Sequence, residues 1–118
     1  MRCIVVALVY TAAAWAGWAG CGGTGVSREI GARCASASDC DDRCLPPSND
    51  YPGGLCTLDC QASRECPEDT NCVDKDSGVC LFTCNFTEDC EFLGALWQCK
   101  EQNLREDQNQ KVKVCVGI

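Results

Sequence analysis

The most regular part of this chain is Cys60-Gln-Ala-Ser-Arg-Glu-Cys66-Pro-Glu-Asp-Thr-Asn-Cys72-Val-Asp-Lys-Asp-Ser-Gly-Val-Cys80, which holds four cysteines in 21 residues. Five residues separate the first cysteine from the second and the second from the third, and seven separate the third from the fourth. A related order of four cysteines precedes this stretch, and another follows it. Self-similarity of this kind predicts a tandem array of small structural units.

The array has three copies, and each copy opens with a Cys-x5-Cys loop that has an acidic residue directly before its second cysteine. Neighbouring copies adjoin through identical Cys-x3-Cys spacings. These boundaries predict units at 34–59, 60–83 and 84–118. The acidic residues are Asp39, Glu65 and Asp89, and the cysteines are Cys34, Cys40, Cys44 and Cys56 in the first unit, Cys60, Cys66, Cys72 and Cys80 in the second, and Cys84, Cys90, Cys99 and Cys115 in the third.

The segment between the third and fourth cysteines of each unit is predicted to form a β-hairpin. In the second unit, Asp74–Gly78 is a polar turn that ends in glycine. In the first, the proline-rich and glycine-rich segment 46–54 favours a turn. In the third, 111–116 alternates polar and apolar residues like a half-buried strand, with a partner near 97–100 and a loop at 101–110. The expected fold class is small and disulfide-rich: three tandem units, each a short loop plus a hairpin, with little regular secondary structure.

Cysteine supplies 14 of the 118 residues. A content above roughly 8–10% in a short chain is typical of a disulfide scaffold, and such a scaffold belongs in an oxidising compartment. Units shorter than about 40 residues rarely fold through apolar burial alone. Disulfides that close short loops are therefore expected to supply the missing stability.

Composition argues against several functional classes. Seventeen acidic residues outnumber ten basic ones, which disfavours a nucleic-acid partner. Histidine is absent, so the residue most used for proton transfer near neutral pH is missing, and no enzymatic activity is expected. A zinc site is disfavoured because there is no Cys-x2-Cys pair. Asp74-x-Asp76-x-Gly78 lacks the glutamate that a calcium loop needs at its twelfth position, where Asn85 stands. We expect no metal and no cofactor.

The N-terminus resembles a secretory signal peptide over residues 1–20. Arg2 precedes an uncharged run from Cys3 to Gly20, and small residues become frequent toward its end. A transmembrane helix is the competing interpretation, since a membrane span needs about 20 apolar residues. Alanine and glycine dilute the run, and no basic flank follows it directly, so a cleaved signal is favoured.

Trp18-Ala19-Gly20-Cys21 resembles the lipobox of bacterial lipoproteins. The resemblance implies that Cys21 carries lipid and becomes the mature N-terminus. The alternative is ordinary cleavage after Ala16 or Ala19. Parity favours lipid, because removal of Cys3 leaves thirteen cysteines, and an odd number is unusual in an exported protein.

An acylated Cys21 implies a membrane partner and a location in the outer membrane or at the cell surface. Several acyl chains on one residue make a durable anchor. Gly22 stands where an aspartate would favour retention in the inner membrane of lipoprotein-producing bacteria. Residues 21–33 are interpreted as the anchor cysteine and a flexible linker, because they are rich in glycine. Asn85-Phe86-Thr87 is a glycosylation sequon, and we interpret it as incidental in a bacterial chain.

The spacing Cys-x5-Cys-x5-Cys followed by a longer gap is similar to the opening of the colipase, prokineticin and Dickkopf cysteine frameworks. Spacing alone leaves three connectivities open for each unit. The resemblance implies pairing of the first cysteine with the third and of the second with the fourth. As a whole, the chain resembles cysteine-rich repeat lipoproteins of Gram-negative bacteria. The implied disulfides are Cys34–Cys44, Cys40–Cys56, Cys60–Cys72, Cys66–Cys80, Cys84–Cys99 and Cys90–Cys115.

The functional hypothesis is an exported, lipid-anchored module that binds a protein or an envelope polymer, or has a structural role. The loops 45–54 and 100–111 are predicted to be displayed, since loops on a rigid scaffold commonly carry recognition. Leu45, Tyr51 and Trp97 are the candidate binding residues. The alternative is a secreted protease-inhibitor-like or toxin-like protein that uses an exposed loop from Leu45 to Tyr51. A third possibility is an extended, protease-resistant spacer.

Overall fold

The computed structural model describes residues 26–118. The predicted signal peptide and Cys21 therefore lie outside the described residues. In the described part of the chain, six strands and three short 3-10 helices are ordered so that each unit contains one helix followed by two strands. The elements are η1 (Ala37–Asp39), β1 (Arg43–Leu45), β2 (Leu55–Thr57), η2 (Ser63–Glu65), β3 (Thr70–Val73), β4 (Val79–Phe82), η3 (Thr87–Leu93), β5 (Trp97–Asn103) and β6 (Lys111–Gly117).

Each unit forms one antiparallel hairpin, which confirms the predicted fold class. In every hairpin the third cysteine of the unit stands directly opposite the fourth. The first and second cysteines approach from the preceding loop, and each bonds to one cysteine of the hairpin. Within residues 26–118 the disulfides are Cys34–Cys44, Cys40–Cys56, Cys60–Cys72, Cys66–Cys80, Cys84–Cys99 and Cys90–Cys115, the connectivity that the resemblance implied.

At each Cys-x3-Cys joint, the chain continues in extended form beyond the fourth cysteine of one unit. The residues of the joint then pair with the hairpin of the next unit. The N–H of Cys80 donates to the carbonyl of Leu58 at 3.2 Å, and the N–H of Cys60 donates to the carbonyl of Gly78 at 3.1 Å. At the second joint, the N–H of Cys84 donates to the carbonyl of Lys113 at 3.1 Å. Backbone hydrogen bonds therefore link the three hairpins in series.

The segment before Cys34 pairs with the hairpin of the first unit, as the two joints pair with the hairpins of the second and third units. The N–H of Gly31 donates to the carbonyl of Cys56 at 2.9 Å, and the N–H of Cys56 donates to the carbonyl of Ala32 at 2.8 Å. Ile30 is 4% exposed and belongs to the hydrophobic core. Within the predicted linker, residues 31 and 32 thus pair with Cys56 of β2, and Ile30 is buried.

The three units share one main hydrophobic core. Leu55 of the first unit, Val73 and Leu81 of the second, and Val114 and Val116 of the third all belong to it, with at most 2% of each side chain exposed. A unit that could not bury enough apolar surface alone thus does so against its neighbours. Disulfides hold each unit, and shared burial holds the units together.

The third hairpin is longer than predicted. Strand β5 runs to Asn103, and Asn103 pairs with Lys111. The predicted loop at 101–110 is therefore wrong for 101–103. Glu101 stands opposite Lys113, so opposite charges face each other across this part of the hairpin.

Candidate functional site

The loop 45–54, predicted to be displayed, contacts both other units, although residues 46–50 remain exposed. Leu45 is 2% exposed and Tyr51 is 4% exposed. The Tyr51 hydroxyl donates to Oδ2 of Asp76 at 2.6 Å, and burial together with this carboxylate raises the pKa of Tyr51. The expectation that Leu45 and Tyr51 lie exposed is wrong, because the loop folds back over the core.

The far side of the same loop contacts the third unit. The N–H of Gly117 donates to the carbonyl of Asp50 at 2.7 Å. A Cβ on Gly117 would overlap the carbonyl of Asn49, so only glycine permits this approach. The loop of the first unit therefore closes onto the strand β6, which lies at the opposite end of the series.

The loop of the third unit is docked on the second unit. The N–H of Arg105 donates to the carbonyl of Cys72 at 3.0 Å, and its guanidinium lies 2.7 Å from Oδ1 of Asp74. Glu106 accepts a hydrogen bond from the N–H of Ser63 at 2.8 Å, which lowers the pKa of the Glu106 carboxyl. Within 100–111, the exposed residues are 100, 101, 103, 106 and 108–111.

The third candidate binding residue, Trp97, is also buried. It is 3% exposed and stands opposite Gly117 in the hairpin. Its side chain is a core element of the third unit and offers almost no surface to a partner. The apolar segment 92–97 is only partly buried: Leu93 and Trp97 lie in the core, whereas Phe92 and Leu96 are exposed.

The cysteine sulfurs crowd together without forming a metal site. In each unit three of them lie within 4.8 Å of one another. All of these sulfurs belong to disulfides, and structural zinc is bound by thiolates. The proximity reflects two adjacent disulfides in each unit.

A polar surface hollow of about 430 Å3 lies at the joint between the second and third units. The carbonyl of Asp69 accepts hydrogen bonds from the N–H of Thr83 at 2.9 Å and from its hydroxyl at 2.8 Å. The lining residues of the hollow are Asp69, Thr83, Cys84, Asn85 and Asp89.

The exposed apolar side chains are a feature that the sequence interpretation missed. In the described residues, the large apolar side chains that are exposed are all in the third unit. Phe92 also contacts Phe82 edge to face, with ring centroids 5.0 Å apart. The exposed fractions are 69% for Phe86, 39% for Phe92, 64% for Leu96 and 71% for Ile118.

Comparison with protein-family models, curated sequences and solved structures finds no match for this chain. In residues 26–118, no helix has the length and apolar character needed to cross a membrane.

Proposed function

We propose that this chain is an exported protein, anchored to the cell envelope of a Gram-negative bacterium by lipid on Cys21. Its folded body serves outside the cytoplasm as a disulfide-stapled structural or binding module. The protein acts without a cofactor and has no enzymatic activity. The membrane, reached through the N-terminal lipid, is its first partner.

The observation that carries the proposal is the closed set of disulfides. The twelve cysteines from Cys34 to Cys115 pair among themselves, so residues 26–118 contain no free thiol. Cys21 therefore has no disulfide partner in the folded body. If cleavage removes Cys3 with residues 1–20, Cys21 keeps no cysteine to pair with in the chain, and its place directly after Trp18-Ala19-Gly20 is where lipoprotein processing would acylate a thiol.

The docked loops favour a compact body over a display scaffold. Both long loops make hydrogen bonds to other units. The inhibitor-like alternative needs an exposed reactive loop from Leu45 to Tyr51, yet both of these side chains are buried. Residues 46–50 between them are exposed, so burial withdraws only the two end residues of that loop from a partner.

The proposal is tested by expressing the full chain in a Gram-negative host with and without globomycin, which inhibits lipoprotein signal peptidase. We expect an acylated mature chain that begins at Cys21 and fractionates with membranes, and accumulation of the precursor when globomycin is present. The matched control is Cys21→Ser, which should leave the membrane fraction. Processing that is insensitive to globomycin, or a mature N-terminus elsewhere, would contradict the proposal.

A further inference from the structure

The polar hollow at the joint between the second and third units carries acidic groups without a cation beside them. Its volume of about 430 Å3 is that of a small-ligand site. In residues 26–118, no lysine or arginine side chain bonds to a residue that lines it. The lining residues supply the carboxylates of Asp69 and Asp89, the amide of Asn85 and the hydroxyl of Thr83.

The joint between the first and second units is built in the same way, so its residues can be matched to those of the hollow. Asp59 forms a bridge with Val79, and Thr83 forms a bridge with Val114. Both valines stand directly before the fourth cysteine of their unit, so the two bridges are equivalent. The other positions are matched by their distance from the cysteines. The matched positions are Asp41 with Asp69, Asp59 with Thr83, Gln61 with Asn85, and Glu65 with Asp89.

Three of the four matched positions at the first joint bind arginine side chains of the chain itself. These arginines come from the segment before the first unit, from the first unit and from the third unit. The repeat thus provides an example of the group that binds residues at these positions. The pairs are Arg28 Nε with Asp41 Oδ1 at 3.4 Å, Arg43 Nη1 with Asp59 Oδ1 at 2.6 Å, and Arg105 Nε with Gln61 Oε1 at 3.3 Å.

The second joint lacks the residues that would form the same ion pair internally. Arg43 stands directly before the third cysteine of its unit, where the second unit has Asn71. The partner of Arg43 is Asp59, and Thr83 takes its place at the second joint. The Thr83 hydroxyl donates to the carbonyl of Asp69 at 2.8 Å instead. The carboxylate of Asp69 is therefore left without a cationic partner in the described part of the chain.

We propose that the hollow binds an arginine side chain of a partner protein. The inference rests on the proposed function in one respect, that the folded body is a binding module, and it requires no lipid on Cys21. A guanidinium is planar and presents five N–H donors, which suit carboxylate oxygens in a fixed arrangement. Asp69 and Asp89 supply such oxygens, and Asn85 supplies an amide oxygen beside them.

Selectivity for arginine over lysine is the decisive property, because a chain with a net charge of −7 attracts any cation. Amide NMR of the full mature chain, with its disulfides intact and in detergent micelles, measures it. The two probes are N-acetyl-arginine amide and N-acetyl-lysine amide, which carry the same charge. We expect the arginine probe to shift the N–H signals of Thr83 and Asn85 saturably, with a dissociation constant at least about threefold lower than that of lysine.

Asp69→Asn tests the carboxylate that has no cationic partner. Asp69 has φ 66°, a conformation that asparagine also tolerates, so the backbone is preserved. We expect this variant to bind the arginine probe at least about threefold more weakly, since a charge-assisted hydrogen bond is lost. The matched control is Glu68→Gln, which removes the same charge from the neighbouring exposed residue outside the hollow and should leave binding unchanged.

Equal dissociation constants for the two probes, or equal weakening by Asp69→Asn and Glu68→Gln, would overturn the proposal. Shifts of the same signals by calcium chloride, without a response to the arginine probe, would assign the hollow to a metal ion and would also overturn it. The expected shifts in a chain that carries no lipid at Cys21 would support the arginine site and contradict only the anchor.

Discussion

At the scale of single residues, the acidic side chain before each second cysteine organises the Cys-x5-Cys loop. Asp39, Glu65 and Asp89 each accept two N–H groups from the residues three and four positions earlier, at 2.7–3.2 Å. These hydrogen bonds favour the ionised form and lower the pKa of each carboxyl. The recurrence of the acid is visible in the sequence, whereas its backbone partners are visible only in the folded loop.

The lowered pKa of Asp89 makes the loop of the third unit sensitive to acid. The N–H groups of Phe86 and Asn85 hold this pKa below the ordinary value of 3.8. The carboxylate therefore stabilises the fold above that value, and its contribution is lost as the pH falls through the lowered pKa. We expect Asp89→Asn to lower the melting temperature at pH 7, with a difference from the wild type that shrinks as the pH falls below 3.8.

Circular dichroism melts with intact disulfides, recorded from pH 2 to pH 7, would measure this. The control is Glu88→Gln, whose carboxylate makes no hydrogen bond in the described part of the chain. Equal melting temperatures for Asp89→Asn and Glu88→Gln at pH 7 would show that the capping carboxylate does not stabilise the loop.

Burial of single residues was the least predictable property. Leu45 and Tyr51 flank a turn-like segment, and nothing local in the sequence shows that the segment folds back over other units. In the sequence, Phe86 is notable only as the middle residue of the sequon Asn85-Phe86-Thr87. A comparison of repeat positions would have revealed it, since the other units have Ser36 and Ala62 there.

At the scale of elements, the hairpins were predictable because cysteine spacing and alternation constrain them strongly. A disulfide needs its two Cα atoms within about 7 Å. The first two cysteines of a unit bond to the two cysteines of its hairpin, so these disulfides hold the preceding loop against the hairpin. The true end of β5 at Asn103 was not predictable. Its pairing with Lys111 outweighs the loop-like composition of a segment rich in charged and amide residues.

The contact between the first and third units is the element-scale feature with the sharpest test. Gly117 approaches the loop 46–54 so closely that a side chain would meet the backbone at Asn49. We expect Gly117→Ala to lower the free energy of unfolding by about 1–3 kcal/mol, because the loop must move to accept the methyl group. Guanidinium unfolding with the disulfides intact would measure the change.

Ile118→Ala is the matched control, since Ile118 is the next residue and is 71% exposed. A surface substitution of this kind is expected to change stability by about 0.5 kcal/mol or less. If Gly117→Ala were no less stable than Ile118→Ala, the loop of the first unit would not be seated on β6 as described.

At the scale of the whole molecule, the threefold repeat defines the architecture. The segment before the first unit differs from the segments before the other two at one position. Ile30 stands four residues before Cys34, as Cys56 does before Cys60 and Cys80 before Cys84. In residues 26–118, no further four-cysteine unit precedes the first one. A buried isoleucine therefore stands where the other two joints have the fourth cysteine of the preceding unit. The alignment of Ile30 with Cys56 and Cys80 is visible in the sequence. It indicates that the folded part begins before residue 33.

The assembly of three units into one body was beyond the reach of spacing rules. It depends on contacts between residues far apart in the chain, such as Arg105 with Asp74 and Tyr51 with Asp76. These contacts convert the predicted display loops into connections between units. Both loops nevertheless keep exposed residues, at 46–50 in the first unit and at 108–110 in the third.

The central claim is that the twelve cysteines of the body pair within their own units and leave Cys21 for lipid. Mass spectrometry of the mature protein, isolated from membranes and digested without reduction, tests it most directly. We expect six linked peptides, two within each unit, and an N-terminal peptide that begins with an acylated Cys21. A disulfide between Cys21 and any of the twelve, or a bridge between two units, would contradict it.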